Sequence, residues 1–312
     1  MRDMRKNGIR GAADYAPISG WAKLPGDVAL GYTHGIAEDA AGRIYVLNMS
    51  RHAVALFKPD GEYIGSWGEE YESGAHGLCL DREADGTEYL YVTDIGRHRV
   101  AKHALDGREL LSLEVPPLPE AYPTPDRYRP TDVGVAESGD IYVADGYGEY
   151  LIHRYDKDGR WLQSWGGRGD GDAHLHEPHG LWVDSDASGE TNVYVADRRH
   201  RRFMQYSAEG ELLRVYGGDY LLPCDLVGAG DYYCIPDLNG RVAVADRAFN
   251  VIALLGEPNS LWRDARWPAI PPAEWPARGF VSPHAAHVDG VGAIYVVEWV
   301  PQGRITKWVP QD

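Results

Sequence analysis

Four histidines recur at the same place in similar short runs: "THGIAED", "AHGLCLD", "PHGLWVD" and "PHAAHVD" hold His34, His76, His179 and His284. Two further runs of the same kind, "PTDVGVA" and "PCDLVGA", carry Thr131 and Cys224 there instead. Neutral imidazole is a ligand for Zn, Cu, Fe or Ni, and three imidazoles with one open position form the donor set of a catalytic zinc. Gathered imidazoles repel one another once protonated, so a cluster of them favours a metal or neutral hydrogen-bond partners. For one such corner alone, a ring packed against a turn is the simpler account. The recurrence is what argues for a ligand set.

That recurrence needs elements that bring equivalent positions together. Each corner opens an apolar run, and a second, β-rich run follows: "RIYVLN", "YLYVTD", "DIYVAD", "NVYVAD", "DYYCIPD" and "AIYVVE". A third run ("RVAKHAL", "LIHRYD", "RRFMQYS") and then a turn with a fourth ("PDGEYIGSWG", "KDGRWLQSWG", "AEGELLRVYG") complete the unit. Alternating Val, Ile and Tyr bounded by Asp-Gly reads as strands. The corners fall about 42 to 60 residues apart, the period of a four-stranded propeller blade. The expectation is an all-β, six-bladed β-propeller of four-stranded antiparallel blades, one domain over 1–312, with residues 1–14 as a flexible tail. The last blade has three strands before the chain stops, and "YAPISGWAKLP" supplies a fourth, closing the ring from the N-terminal side. In a propeller the first strand of each blade lines the axis, so His34, His76, Thr131, His179, Cys224 and His284 form one ring. Two inserts, roughly 115–129, rich in Pro, and 257–280, rich in Pro and Trp, read as loops on a binding face.

Composition narrows the function. The chain has 312 residues and a formal net charge of −16, which disfavours a phosphate backbone or an anionic membrane as partner. The partner expected is a small-molecule substrate, with no nucleic acid and no membrane, and the protein is expected to be a monomer. "RRHRR" at 198–202 reads as alternating strand positions in an acidic chain. The first residues, "MRDMRKNGIRGAADYAP", have no apolar run of a secretory signal, and no stretch suits a membrane span. Cys79, Cys224 and Cys234 are too few for a disulfide framework. A cytoplasmic, reduced protein is the simplest expectation. His52, His98, His103, His153, His174, His176 and His200 lie off the corners and read as surface or loop residues. His287, further along the last first-strand, reads as a residue supporting a ligand.

The repeat resembles the NHL family of six-bladed propellers over nearly the whole chain. Within it, "HGL" at 76–78, "PTDVGV…IYVADGY" at 130–147, "PHGL…VYVADR" at 178–198 and "PHAAHV" at 283–288 resemble the catalytic core of the peptidylglycine amidating lyases, zinc enzymes that complete peptide C-terminal amidation. The resemblance implies that His76, His179 and His284 are the three zinc ligands, that Tyr147 is the active-site tyrosine, and that Arg198 is an active-site arginine. Arg51, in "VLNMSR", falls near a second such arginine. His34 is additional, as a fourth metal ligand or a proton carrier. Ala285 stands where the lyases have a calcium-binding aspartate. Only a carbonyl such as that of Leu78 remains, which does not support a calcium site. The cysteine pairs of the secreted lyases are absent.

Such residues imply metal-dependent lyase chemistry: zinc or another divalent transition metal lowers the pKa of a bound hydroxyl, Tyr147 is the base, and arginines fork to a substrate carboxylate. The same site suits a metal-dependent hydrolase. A non-catalytic NHL propeller that binds a protein or ligand needs no ring of histidines. A calcium-dependent lactonase-type propeller would use axial Asp, Glu and Asn. Asn48, Asp94, Asp145, Asp197 and Asp237 end second strands, and Asp132 and Asp225 follow corners. These read as turn and inter-blade hydrogen-bonding residues. Ala-Asp-Arg recurs at 245–247, which makes part of the Arg198 motif belong to the repeat.

Overall fold

The computed structural model describes residues 15–18, 20–186 and 188–311, so the expected tail at 1–14 lies outside them. The fold is all-β: a six-bladed propeller of four-stranded antiparallel blades. Short 3₁₀ turns are the only helical segments among the described residues. None is long and apolar enough to cross a membrane. Blades 1 to 5 follow the chain, each sheet ordered first to fourth strand. Blade 6 has Pro283–Val288, Ile294–Glu298 and Arg304–Pro310, and its fourth strand is Tyr15–Ile18, paired antiparallel with Arg304–Pro310.

The chain packs as two compact units, Met1–Glu72 with Gly218–Asp312 and Ser73–Gly217. In the second unit the first strands of blades 2 (Ala75–Arg82), 3 (Asp132–Val135) and 4 (Pro178–Ser185) contact one another in turn. In the first unit those of blades 5 (Val227–Ala229), 6 and 1 (Thr33–Glu38) do the same. The core lies between faces of neighbouring sheets. Tyr142, Val193, Val195, Met204 and Tyr206 form one such layer between blades 3 and 4. Ile36, Val46, Phe57, Tyr295 and Val297 form another between blades 1 and 6.

One device recurs. The residue at or just past the end of each second strand accepts hydrogen bonds from backbone N–H groups. In five blades those groups belong to the segment arriving at the corner: Gly31 to Asn48 (3.0 Å), Arg129 to Asp145 (2.7 Å), His176 to Asp197 (2.7 Å), Leu221 to Asp237 (2.7 Å) and Val281 to Glu298 (2.6 Å). In blade 2, Asp94 instead accepts from Gly96 and Arg97 in its own turn (2.9 and 2.8 Å). Gly74 there packs so closely that a Cβ would lie 1.8 Å from Asp94 Oδ1. Asp132 accepts from Leu181 N of the next blade (2.7 Å). Asp225 accepts from Leu226 N (2.8 Å).

The two inserts are not free loops. Tyr122 and Tyr128, from the 115–129 insert, are buried in the layer shared by blades 2 and 3. In the 257–280 insert, Ile270 is buried with Val281 and Val300. Trp267 and Trp275 donate to the carbonyls of Val281 and Ile270 (3.0 and 2.8 Å). The reading of His103 and His153 as surface residues is corrected: both are fully buried on third strands. His153 shares a strand face with Leu151 and Tyr155, and its ring is held by Tyr122 Oη (2.8 Å) and Ser164 Oγ (2.6 Å). Cys79, Cys224 and Cys234 form no disulfide.

Candidate functional site

A β-bulge aims each corner histidine. Thr33 pairs with Asn48 and Gly35 with Leu47, leaving His34 as the extra residue. His284 is the extra residue between Pro283 and Ala285 in the same way. At blade 2, His76 and Gly77 together oppose Thr93, and at blade 4, His179 and Gly180 oppose Ala196. A bulge bends the strand and re-aims a side chain. The Thr131 and Cys224 corners carry no such bulge in their first strands. All four histidines are buried, at 1 to 4% exposure.

In the second unit the residues singled out by sequence meet. His76 Nδ1 donates to Thr131 O at 2.7 Å. A carbonyl only accepts, so this bond fixes the tautomer and leaves Nε2 with its lone pair. His76 Nε2 lies 3.2 Å from the Tyr147 hydroxyl, and His179 Nε2 lies 3.1 Å from it. The two imidazole centroids are 4.8 Å apart. Arg198 Nη2 donates to the same hydroxyl at 3.2 Å. Burial pushes the His76 pKa down to about 3, with the charges of Arg198 and Arg129 adding to the effect and the Thr131 carbonyl opposing it. His76 is therefore neutral, the ligand-competent form, at neutral pH.

Thr131 is the joint of this arrangement rather than a ligand. Its carbonyl holds His76, and its hydroxyl donates to Pro178 O (2.9 Å), one residue before His179. The turn bearing Tyr147 needs glycine on both sides. A Cβ on Gly146 would lie 1.9 Å from Pro178 O, and one on Gly148 would lie 2.2 Å from Asp145 Oδ1. "DGYG" is therefore a requirement of close backbone approach. Burial raises the Asp145 pKa to about 7 against the lowering effect of its N–H donors, chiefly Glu149 and Arg129.

Two residues were missed by sequence reasoning. Glu177, buried at 8% exposure, forms an ion pair with Arg198 and with Arg199. It has a left-handed backbone, φ 64°. Its signal in the sequence is a departure from the repeat: no other corner carries an acid two residues before its key position. Arg129, on the segment entering blade 3, adds positive charge near His76. Asp197, adjacent to Arg198 in the chain, holds Arg202 and His200 (2.7 Å each).

In the first unit, His284 Nδ1 donates to His34 O at 2.9 Å, and the two rings meet edge-on with centroids 4.5 Å apart. His284 thus shows the same ring-fixing contact as His76. Cys224 is fully buried. Arg51 sits in the exposed turn after the second strand of blade 1. His287 pairs with Glu38 (Nε2 to Oε2, 3.0 Å) rather than with His284.

No family model matches the chain. It is similar to NHL repeat-containing protein 3 of Homo sapiens, 26% identical over 311 residues, covering 93% of this chain and 83% of that protein. It is equally similar to a probable peptidyl-alpha-hydroxyglycine alpha-amidating lyase of Caenorhabditis elegans, 26% identical over 265 residues, covering 81% and 69%. Among solved structures it resembles a gluconolactonase of Xanthomonas campestris, with a TM-score of 0.63 at 13% identity over 98% of this chain and 97% of that one. The last likeness is one of fold. The relatives and neighbours include propeller enzymes named as lyases and as a lactonase.

Proposed function

We propose that the protein is a metal-dependent lyase of the amidating-lyase type, cleaving a C–N bond in a small hydroxylated, carboxylate-bearing substrate. The observation carrying this reading is one hydroxyl, that of Tyr147, within 3.2 Å of His76 Nε2, His179 Nε2 and Arg198 Nη2. The donor chemistry fits a transition metal. Both Nε2 atoms face one point, and the His76 ring is locked from behind by a carbonyl, the usual support of a metal-ligating imidazole. His76 and His179 are the ligands supported in one unit. His284, with its ring fixed alike, is the third ligand that the resemblance assigns, and His34 is an accessory to it. Zinc, or another divalent transition metal, supplies a Lewis acid for the substrate hydroxyl.

The chain's own residues do the rest. Arg198 and Arg129 place positive charge where a carboxylate would bind, and Glu177 holds the Arg198 fork in place. The Arg198 guanidinium beside the Tyr147 oxygen favours negative charge there, which suits Tyr147 to take a proton. Tyr147, as the phenolate, accepts the proton of the carbinol hydroxyl, the C–N bond breaks, and the phenol passes that proton to the departing nitrogen, which leaves as an amide. The carbon becomes an aldehyde, so atoms and charge balance without a redox partner. Glu298, Asp237 and the other second-strand carboxylates are occupied by backbone N–H groups, which argues against an axial carboxylate site for calcium.

The test joins elemental analysis to turnover of a peptidyl-α-hydroxyglycine. One zinc or similar ion per chain at this centre, lost in His76→Ala/His179→Ala together with aldehyde release, is the expected result. Metal-free protein that still turns over the substrate would overturn the metal. Metal-loaded protein that hydrolyses a lactone and not this substrate would overturn the lyase.

A further inference from the structure

A second group of potential ligands lies outside this site, at the start of blade 4. Potential ligand atoms of Asp170, His176 and His200 all fall within 4.8 Å of one another. His200 Nδ1 bonds Asp197 Oδ2 at 2.7 Å, so a buried carboxylate orients the ring from behind. Its Nε2 is shielded from solvent and has no hydrogen-bond partner. Asp170 Oδ1 lies 3.7 Å from that Nε2. This is too long for a hydrogen bond. It is close to the roughly 3.4 Å between two ligands each about 2.0–2.2 Å from one ion at a tetrahedral angle. The His176 and His200 rings meet edge-on at 5.5 Å. The ring of His176 is stacked on Tyr150 (5.6 Å), whose other neighbour is the Arg168 guanidinium, 3.8 Å from the ring centre.

The surroundings hold this geometry in place. Asp197 Oδ1 accepts His176 N (2.7 Å), and its Oδ2 also takes Arg202 Nε (2.7 Å). Arg202 Nη2 in turn donates to His174 O (2.8 Å), tying down the loop that bears Asp170. One buried carboxylate thus grips one histidine by its backbone and the other by its ring. A carboxylate behind an imidazole, with the far nitrogen turned to other donors, is the supporting arrangement of a metal site.

We propose that Asp170, His176 and His200 form a second divalent-metal site, with one carboxylate and two imidazoles suited to Zn²⁺, Cu²⁺ or Ni²⁺. Water fills the remaining positions, and Asp170 is the arm that closes on the ion. The site is independent of the Tyr147 centre. Bound metal would cross-link the loop before blade 4 to the turn after its second strand, on either side of Glu177 and Arg198.

The test is a Zn²⁺ titration of chelator-stripped protein by competition with a chromophoric chelator. Relative to the parent, His200→Ala should lose one zinc equivalent, while His76→Ala/His179→Ala should keep it. Asp170→Asn should weaken that equivalent about tenfold or more. His200→Gln serves if the alanine variant does not fold. On the unmodified protein, Zn²⁺ should protect His176 from diethyl pyrocarbonate, read by mass spectrometry. A His200→Ala protein with the parent's stoichiometry and affinity, or His176 modified equally with and without Zn²⁺, overturns the proposal. Loss of the Tyr147-centre metal alone leaves it standing.

Discussion

The tripeptide Ala-Asp-Arg occurs twice, and its two copies behave differently. At 196–198 it ends the second strand of blade 4, and Arg198 turns inward, 5% exposed, onto Glu177 and the Tyr147 hydroxyl. At 245–247 it ends the third strand of blade 5, and Arg247 lies exposed over Tyr233, donating to Gly230 O. The residue matching Asp197 in blade 5 is Asp237, not Asp246. Identical letters at different strand ends are therefore not one motif. The apparent repetition does not weaken the case for Arg198.

The largest effect is expected at the hydroxyl that Arg198 touches. Tyr147→Phe should lower kcat on the proposed substrate by about 10²–10⁴, the usual contribution of a positioned base, with the metal content unchanged. A variant with parental kcat would remove Tyr147 from the chemistry. Next, Arg198→Ala should cost about 10²–10³ in turnover. It should also cost stability at the lower end of the ~3–5 kcal/mol typical of a broken buried pair, because Arg199 still holds Glu177. Arg247→Ala should stay within about 0.5 kcal/mol of the parent in a denaturant titration. Equal effects at both arginines would erase the contrast.

Gly146→Ala should destabilise by about 1–3 kcal/mol, because its Cβ meets the Pro178 carbonyl. Gly217→Ala, with nothing within 4 Å of its Cβ, should serve as a near-neutral control in the same melt. A further test is the pH profile of stability. Burial depresses the folded pKa of His76 and of His153 to about 3. The unfolded chain therefore binds protons that the folded chain refuses. Stability from both residues is complete above about pH 6.5 and is lost as pH falls from there towards 3. Asp145, raised by burial to about 7, works the other way: its cost appears as pH rises from about 4 through 7. His153→Phe should flatten the acid fall in Tm, and an unchanged slope would remove this histidine from the account.

Much of the fold was legible because blades repeat. Six corners, six β-rich second runs and an orphan three-stranded end were enough to assign Tyr15–Ile18 to blade 6, as its pairing with Arg304–Pro310 bears out. The Tyr147 and His179 contact was legible only through the resemblance, since spacing does not say which turn reaches which corner. Glu177 escaped because its role depends on a left-handed backbone that folds its carboxylate towards Arg198. His153 was legible and misread: Leu151, His153 and Tyr155 alternate on one face of the strand, which is a burial signal even when the middle residue is polar.

The clasp at the end of each second strand bears on how such a molecule changes over time. Asn48, Asp145, Asp197, Asp237 and Glu298 each hold a corner that lies within about twenty residues of themselves in the chain. A corner and its clasp therefore travel together as one short cassette. Exchanging His for Thr or Cys at one corner leaves the backbone clasps of the other blades intact. Duplication of such cassettes followed by independent editing gives a ring in which each position can be assigned to structure, metal or substrate separately. The alternation of histidine, threonine and cysteine corners around this chain is the record that such editing would leave.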